Sequence, residues 1–408
     1  MSPEWQPDRQ AALKQLDDFL PQAGDAYRRG RNHDFGPDRR GNVSALSPWV
    51  RHRLVLEQEL VAAAVRAHGT DRAEKFIQEV FWRTYWKGWL ELRPEVWDDY
   101  LVDLRECRDA LSAGPELRDR LQHAENGETG IECFDAWVRE LLTRGYLHNH
   151  ARMWFASIWV FTLKLPWSLG ADFFLRHLLD GDPASNTLSW RWVAGRQTPG
   201  KTYLARADNI ARFTDRRFQP QARELATDAP PPAGLPDHPP PTLPSPPDNA
   251  DPGLRTGLFL SEEDLHPESL SGIPEVRAVA GSHCASARSA EPVSDAVLQF
   301  TNAAQADALQ RAASNWNCAS TQLTANIDAR GILEWAARAQ LEQLIIPWIP
   351  VGPARDRFGG MIRDLEAAGL RVCQLRRDWD SLCWPHARAG FFRFRKAIPQ
   401  LISELVST

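Results

Sequence analysis

The chain has 408 residues, of which 43% are hydrophobic, and a formal net charge of −5. This length is enough for two or three domains with a large core. No uncharged apolar run is long enough to cross a membrane, and the N-terminus lacks the basic-then-apolar order of a signal peptide, so we expect a cytoplasmic protein without a membrane span.

Cysteine and tryptophan usage narrows the kind of site. The six cysteines are widely spaced without a CxxC pair, and only two lie in the first half. We therefore predict reduced thiols and neither a zinc site nor an iron–sulfur cluster. The chain also has 17 tryptophans, twelve of them before residue 193. Most tryptophans serve packing, but so many in one half also suit a site that stacks flat ligands or moves electrons.

Along the chain, long helical patterns come first. Apolar residues recur at helical spacing over 54–67, 73–91, 132–144 and 151–165, with proline and glycine at the joints. Residues 229–252 read APPPAGLPDHPPPTLPSPPDNADP, a composition typical of an extended spacer. We predict a helical domain over 1–228, a proline-rich linker over 229–252 and a second domain over 253–408.

The second domain has a different rhythm, in which short apolar runs alternate with helical patterns. The runs are 257–260, 276–280, 344–348 and 371–375, and the helical patterns are 294–313, 328–342 and 355–368. This alternation predicts a smaller Rossmann-like α/β domain with a parallel sheet. Neither a GxGxxG motif nor a P-loop is present, so no recognisable phosphate-binding fingerprint accompanies it.

Four polar blocks in the first segment carry the chemistry. They are 27–32 with 42–49, then 79–86, 145–153 and 180–192. The serines of the first block suit an anionic phosphate, although a plain helix N-cap explains them too. Glu79, Trp82 and Arg83 share one helix face. An exposed salt bridge beside a core tryptophan would explain this spacing equally well. The tryptophan-flanked polar run of the fourth block is reasonable for a helix end facing a polar ligand.

In this order the blocks resemble the TSxLSPYL, ELxWRxF, GWxHNxxRM and DGDxAxNxxxWxW motifs of the photolyase/cryptochrome family. Residues 129–141 resemble the family's TG…DAxxREL stretch, and the resemblance covers about half of the chain. It implies an all-helical domain that holds FAD bent in a central cavity and uses it as a light-absorbing redox cofactor. A second, antenna chromophore is left open.

The resemblance assigns the cofactor to residues of all four blocks. Those expected to hold the FAD phosphates and ribityl chain are Tyr27, Ser44, Leu46 and Ser47. Those expected to line the cavity or face the flavin ring are Glu79, Arg83, Asn149, Arg152, Asp180, Asp182 and Asn186. Within this set, Arg152 and Asp180 would form a buried pair beside the ring, and Asn186 would lie near flavin N5. A fixed cation there favours an anionic reduced ring.

The resemblance also implies a substrate, a cyclobutane pyrimidine dimer flipped out of DNA. Trp82 and Trp192 would stack on the dimer, with Glu79 and Asn149 at its polar edges. Met153 would pack beneath the dimer, and Arg31 matches a residue that contacts the DNA backbone. We therefore expect DNA containing pyrimidine dimers as the partner of a monomeric protein.

Electron supply follows the family's tryptophan chain only in part. Trp190 matches the member nearest the flavin and Trp167 the middle member, but Leu111 stands near the third position. Candidates for another exit are Trp86, Trp89, Trp97 and Trp159.

Other departures concern single positions and the order of domains. Val43 replaces a threonine, Tyr146 a tryptophan and His150 an arginine that is common in the family. The α/β-type segment follows the FAD-type segment, whereas the family's antenna domain precedes it. Two interpretations are open: a diverged antenna-type domain, or an unrelated nucleotide-binding-like fold that caps the first.

These residues predict a light-driven, FAD-dependent repair enzyme of deoxyribodipyrimidine photolyase type. Photoexcited reduced FAD would donate an electron to the dimer, the ring would split, and the electron would return. Trp190, Trp167, Asn186 and Glu79 are the residues expected to serve this reaction. The alternative is a cryptochrome-like blue-light photoreceptor with flavin photoreduction and no repair.

Overall fold

The computed structural model describes residues 5–198, 200–233 and 237–406. Up to residue 233, the described residues form helices joined by turns and contain no β-strand. The α-helices are α1 Arg9–Phe19, α2 Asp25–Gly30, α3 Ser47–Arg51, α4 Glu57–Glu91, α5 Glu95–Ala113, α6 Pro115–Asn126, α7 Glu132–Arg144, α8 Asn149–Ser157, α9 Trp167–His177, α10 Pro183–Val193 and α11 Ala207–Phe213. The prediction of a helical first segment is confirmed.

Helix boundaries follow local signals, with one difference from the predicted elements. Gly145 adopts φ +65° just after α7, where a left-handed residue ends a helix readily. The patterns predicted as two helices, 54–67 and 73–91, correspond to the two parts of α4, which are separated by the non-helical Gly69 (φ 74°, ψ 163°). The pattern predicted over 151–165 divides into α8 and a π-helical turn over Ile158–Thr162.

A five-stranded, all-parallel sheet forms the centre of the second segment, and the prediction of a parallel sheet is confirmed. Its strands are β1 Thr256–Leu260, β2 Val276–Gly281, β3 Ala319–Gln322, β4 Gln343–Pro347 and β5 Arg371–Leu375, in the order β3-β2-β1-β4-β5. The connecting helices are α12 Asp295–Trp316, α13 Ala329–Arg338 and α14 Pro353–Ala367. The edge strand β3 was not predicted, because its short sequence ASTQ is largely exposed and has no apolar pattern.

Short helices after β5 return to the first segment. They are α15 Asp378–Cys383, α16 Phe391–Phe394 and α17 Ile398–Leu405, and all three contact α4. Trp379 stacks on Phe81 with ring centroids 4.9 Å apart. Gly88 is needed for this docking, since a Cβ there would lie 2.7 Å from the Trp384 ring. One apolar core therefore continues from the helices into the second segment.

In the described residues of the proline-rich stretch, 229–233 and 237–252, there is no helix or strand. The linker prediction for 229–252 includes residues 234–236, which lie outside the described residues. The Thr242 amide donates to the Leu92 carbonyl at 2.9 Å, and the Asp248 amide donates to the Gln374 carbonyl at 3.1 Å. The stretch thus follows the surface from the end of α4 to β5.

Buried ion pairs join the two segments at the loop that follows β1. Arg51 pairs with Glu263 at 2.7 Å, and both side chains are under 5% exposed. Arg53 pairs with Asp264 at 3.2 Å and with Asp380 at 2.7 Å. In such sheets the carboxyl edge is the usual place for ligands. Here two arginines of the helical segment contact the acidic loop at that edge. No helix among the described residues is long and apolar enough to cross a membrane.

Candidate functional site

A cavity of about 650 Å³ opens among the helices of the first segment. Most of the residues singled out from the sequence line it: Tyr27, Arg31, Ser44, Leu46, Ser47, Glu79, Trp82, Arg83, Asn149, Arg152, Met153, Asp180, Asn186, Trp190 and Trp192. Two do not, Trp167 and Asp182. The four polar blocks, far apart in sequence, therefore meet at one cavity.

The loop before α3 forms one wall of the cavity with Ser44, Leu46 and Ser47. Ala45 between them adopts φ +50°, a left-handed conformation uncommon for residues other than glycine. The Gln15 side-chain amide donates to the Ser44 carbonyl at 2.8 Å and fixes the loop from behind. Strained backbone is often found in loops that hold ligands.

The cavity wall also contains an ion pair in which Asp180 is buried and Arg152 is 24% exposed. Arg152 on α8 donates to Asp180 at 2.7 Å and to the Leu147 carbonyl at 3.0 Å. Burial alone would lower the pKa of Arg152, but Asp180 raises it above its usual range. The second carboxylate oxygen of Asp180 is buried without a hydrogen-bond partner among the described residues. The pair therefore brings a fixed cation and a free acceptor to the cavity.

A second ion pair lies between α2 and α4, where Glu79 accepts from Arg31 at 2.6 Å. Burial raises the pKa of Glu79, and Arg31 offsets only part of this rise. Tyr27 lies nearby, and burial followed by the Glu79 charge raises its pKa well above the usual range. Arg31 and Glu79 are each about 30% exposed, so both reach the solvent side of the cavity.

Helix α10 presents several polar side chains to the cavity. The Asn186 amide nitrogen donates to the Ala171 carbonyl at 2.8 Å, which leaves its amide oxygen available to a ligand. Ser185 and Ser189 also line the cavity, in addition to the residues predicted from the sequence. Their i,i+4 spacing beside Asn186 is the signal that places them on the same face.

Asp182 differs in position from its neighbours in the same motif. It caps α10 by accepting from the Ser185 amide at 2.8 Å, and it lies 3.5 Å from Lys87 and 3.6 Å from Arg83. Burial would raise the pKa of Asp182, but Lys87, Arg83 and Arg51 together hold it well below its usual range. Asp182 thus neutralises a buried cluster of cations behind the cavity wall.

Trp190 lies at the floor of the cavity, packed edge-on against Trp159 and Phe174 at 6.1 and 5.1 Å between ring centroids. Gly170 on α9 makes this approach possible, because a Cβ there would lie 2.3 Å from the Trp190 ring. Trp167, one turn before Gly170, donates its indole N–H to Asp103 at 3.2 Å. Of the candidate exit tryptophans, Trp159 is the one whose ring contacts Trp190 in the described residues.

Aromatic rings also line the outer part of the cavity. Trp82 stacks on Phe391 of α16, with centroids 3.6 Å apart and an interplanar angle of 13°. Trp192 packs against Tyr203 at 5.6 Å. Phe391 belongs to the second segment, and no pattern in the sequence predicts its contact with Trp82. One face of Trp82 is therefore covered by the second segment.

The cavity has the size and chemistry expected for a large polar cofactor. Pockets for such ligands measure about 300–1,000 Å³. Buried polar atoms of Asp180, Ser185 and Trp190 lack hydrogen-bond partners within the described residues, and such atoms in a native fold usually meet a ligand or water. The arrangement defines a helical protein with a built-in cofactor cavity.

Comparison with known proteins shows which proteins the chain resembles. Residues 76–227 match the family model described as the FAD binding domain of DNA photolyase. The matched range contains α4 from Phe76 onward and α5 to α11, and hence most of the residues that line the cavity. This part of the chain is therefore similar to the FAD-binding domain of DNA photolyases.

Several curated relatives carry the name deoxyribodipyrimidine photo-lyase. That of Streptomyces griseus is 36% identical over 181 residues, which are 41% of this chain and 38% of the relative. Those of Alkalihalophilus pseudofirmus and Thermus thermophilus are 30% and 31% identical over 55–56% of this chain, and 46% and 51% of their own length. The chain thus spans about half, or less than half, of the length of the curated relatives that it matches.

Among solved structures, a class III photolyase from Agrobacterium tumefaciens is 25% identical, with a TM-score of 0.38, over 55% of this chain and 50% of its own. A cryptochrome from Synechocystis is 21% identical, with a TM-score of 0.38, over 52% of this chain and 44% of its own.

Proposed function

We propose that this protein is a light-driven, FAD-dependent DNA repair enzyme that splits cyclobutane pyrimidine dimers. The observation that carries the proposal is the meeting of four separate polar blocks at one cavity with two tryptophans, Trp82 and Trp192, in its wall. The match to a photolyase FAD-binding domain and the names of the relatives support it.

The cofactor would lie along the polar walls of the cavity. Tyr27, Ser44, Leu46 and Ser47 would hold the phosphates and the ribityl chain, and Glu79, Arg83 and Asn149 would line the remainder. When bound, FAD supplies absorption of blue light and the electron that reaches the substrate. The serine hydroxyls and backbone amides of the loop before α3 donate hydrogen bonds that suit phosphate oxygens.

Arg152, Asp180 and Asn186 would set the electrostatics around the flavin ring. The Arg152 guanidinium is kept charged by Asp180 at 2.7 Å, and a fixed cation favours negative charge on a neighbouring ring. The amide oxygen of Asn186 can accept a hydrogen bond from an N–H group, since its amide nitrogen already donates to Ala171. Asp182 would act one layer further out, through the cations it neutralises.

The substrate would enter between the aromatic walls. Trp82 and Trp192 offer flat faces for stacking, worth about 1–3 kcal/mol per base. Glu79 and Asn149 would hydrogen-bond the polar edges, and Met153 would pack beneath the dimer. Arg31 is held by Glu79 and would exchange this partner for a phosphate when DNA binds.

Electrons that reduce the flavin would pass through Trp190. Its ring lies at the cavity floor and touches Trp159, while Trp167 lies on the same helix as Gly170, which contacts the Trp190 ring. We propose Trp167 as the second member of the path and Trp159 as a competing one.

The test is repair of a dimer-containing oligonucleotide by the purified protein under blue light, with a dark sample as control. Dimer loss in the light alone supports the proposal. Affinities for matched damaged and intact oligonucleotides, measured in the dark at fixed salt, separate it from the photoreceptor alternative. Equal affinity together with no dimer loss would favour a cryptochrome-like photoreceptor.

A further inference from the structure

The segment around α16 combines an exposed aromatic ring with unpaired positive charge beside the cavity. Phe392 is 77% exposed, the highest value for a large hydrophobic side chain among the described residues. Its neighbours Phe391 and Phe394 are buried, at 6% and 1% exposure. The exposure of Phe392 is therefore a property of one position in a well-anchored turn.

The anchoring contacts place this turn at the edge of the cavity. Phe391 stacks on Trp82, which lines the cavity, and it lies 5.5 Å from Tyr85. Phe394 packs on Tyr85 at 5.6 Å. Because Phe391 is covered by Trp82, the next side chain along the turn, Phe392, projects into solvent beside the aromatic wall.

The charge of the segment is opposite to that of the whole chain. Residues 381–403 contain no aspartate or glutamate, although the whole chain has a net charge of −5. The basic residues of the segment are Arg388, Arg393, Arg395 and Lys396, all exposed. None of them forms a salt bridge within the described residues, and the Arg395 guanidinium lies 6.0 Å from the centre of the Phe392 ring. Such charge attracts a polyanion.

We propose that α16 and its flanking residues contact the DNA strand next to the flipped lesion, with Phe392 stacking on a base or sugar and Arg393, Arg395 and Lys396 facing phosphates. An aromatic ring surrounded by basic groups is the usual chemistry of single-strand contacts. The second segment would then complete the substrate site as well as cover the helices. This inference rests on the proposed function, because it takes the cavity as the place where the lesion binds.

The experiment compares full-length variants for affinity toward a dimer-containing duplex and its undamaged match, in the dark, at several salt concentrations. Phe392→Ala should weaken binding of damaged DNA at least about fivefold, the lower limit for a lost stacking face. Arg393→Gln with Arg395→Gln should reduce the slope of log affinity against log salt by about 1–2. Flavin content and absorption should be unchanged in both.

Matched controls remove the same chemistry elsewhere. Leu142→Ala truncates another exposed apolar side chain, and Arg338→Gln removes another exposed charge of the second segment. Neither should alter affinity or salt slope. Native-like binding by both the Phe392 and the arginine variants, in a protein that prefers damaged DNA, would overturn this inference and leave the repair function standing.

A different set of binding results would contradict the proposed repair function. If the native protein does not distinguish damaged from intact DNA but the arginine variants bind both more weakly, the DNA contact stands and the repair role does not. If the native protein binds neither oligonucleotide, both proposals fall.

Discussion

Replacement of Glu263 by glutamine should destabilise the docked arrangement of the two segments. Glu263 accepts two hydrogen bonds from Arg51, at 2.7 and 2.8 Å, and lies 3.9 Å from the Lys87 nitrogen. Arg51 in turn donates to the carbonyl of Gly181 at 3.0 Å, between Asp180 and Asp182. The substitution would leave two buried cations with less compensation, beside a segment that lines the cavity.

The size of the effect follows from burial. Loss of one partner of a buried ion pair typically costs about 3–5 kcal/mol. The amide oxygen of glutamine can still accept one hydrogen bond from Arg51, so we expect a loss of about 3 kcal/mol in the free energy of unfolding. Glu334→Gln is the matched control, because its i,i+4 pair with Arg330 is more than half exposed on both sides and such pairs contribute about 0–1 kcal/mol.

The assay is urea unfolding followed by tryptophan fluorescence, together with release of bound flavin. The Glu263 variant should unfold at lower urea and lose flavin earlier than the Glu334 variant. If the two variants unfold at the same urea concentration, the ion pair contributes no more than a surface pair. The reasoning from burial would then be refuted.

Four further outcomes are expected. Trp190→Phe should slow flavin photoreduction by external reductant, and an unchanged rate would place the electron path elsewhere. Gly170→Ala should displace the Trp190 ring and also slow photoreduction. The flavin absorption of the fully loaded variant is the control, because it shows whether the cavity still binds the cofactor. Burial lowers the pKa of His177 to about 4, so below about pH 6.5 the unfolded chain binds a proton that the folded chain does not bind. The free energy of unfolding should therefore fall by up to about 2 kcal/mol between pH 7 and pH 5. His177→Gln should remove this part of the pH dependence when urea unfolding is compared at the two pH values. A chain ending at residue 228 should be less soluble in a sedimentation assay, because it exposes the α4 surface around Phe81; normal solubility and full activity would contradict that expectation.

Local patterns were enough to predict the helices and the parallel sheet. The pattern over 132–144 coincides with α7, because an apolar face and a terminal glycine are both local signals. Edge strand β3 escaped detection, because it makes hydrogen bonds to β2 but buries few side chains. The division between the patterns over 54–67 and 73–91 corresponds to the break in α4 at the non-helical Gly69.

The candidate site could be predicted as far as its motifs reach. Trp82 and Asn186 lie in the cavity wall because the polar blocks are short and face the same way on their helices. The position of Asp182 could not be read from its motif, because the charges that surround it come from α4. The stack of Trp82 on Phe391 could not be predicted either, because it joins residues about 300 positions apart and depends on how the two segments dock.

The docking explains how the second segment can serve the site although it follows the helical segment in this chain. Its contacts with α4 are made through space, by Trp379 on Phe81 and by Trp384 against Gly88. The proline-rich stretch only has to connect the end of the helical segment with β1, and its hydrogen bonds to Leu92 and Gln374 show that it passes along the surface on the way. An extended stretch without internal hydrogen bonds constrains this geometry little. The order of the two segments therefore matters less for the cavity than the complementarity of the surfaces that meet at α4.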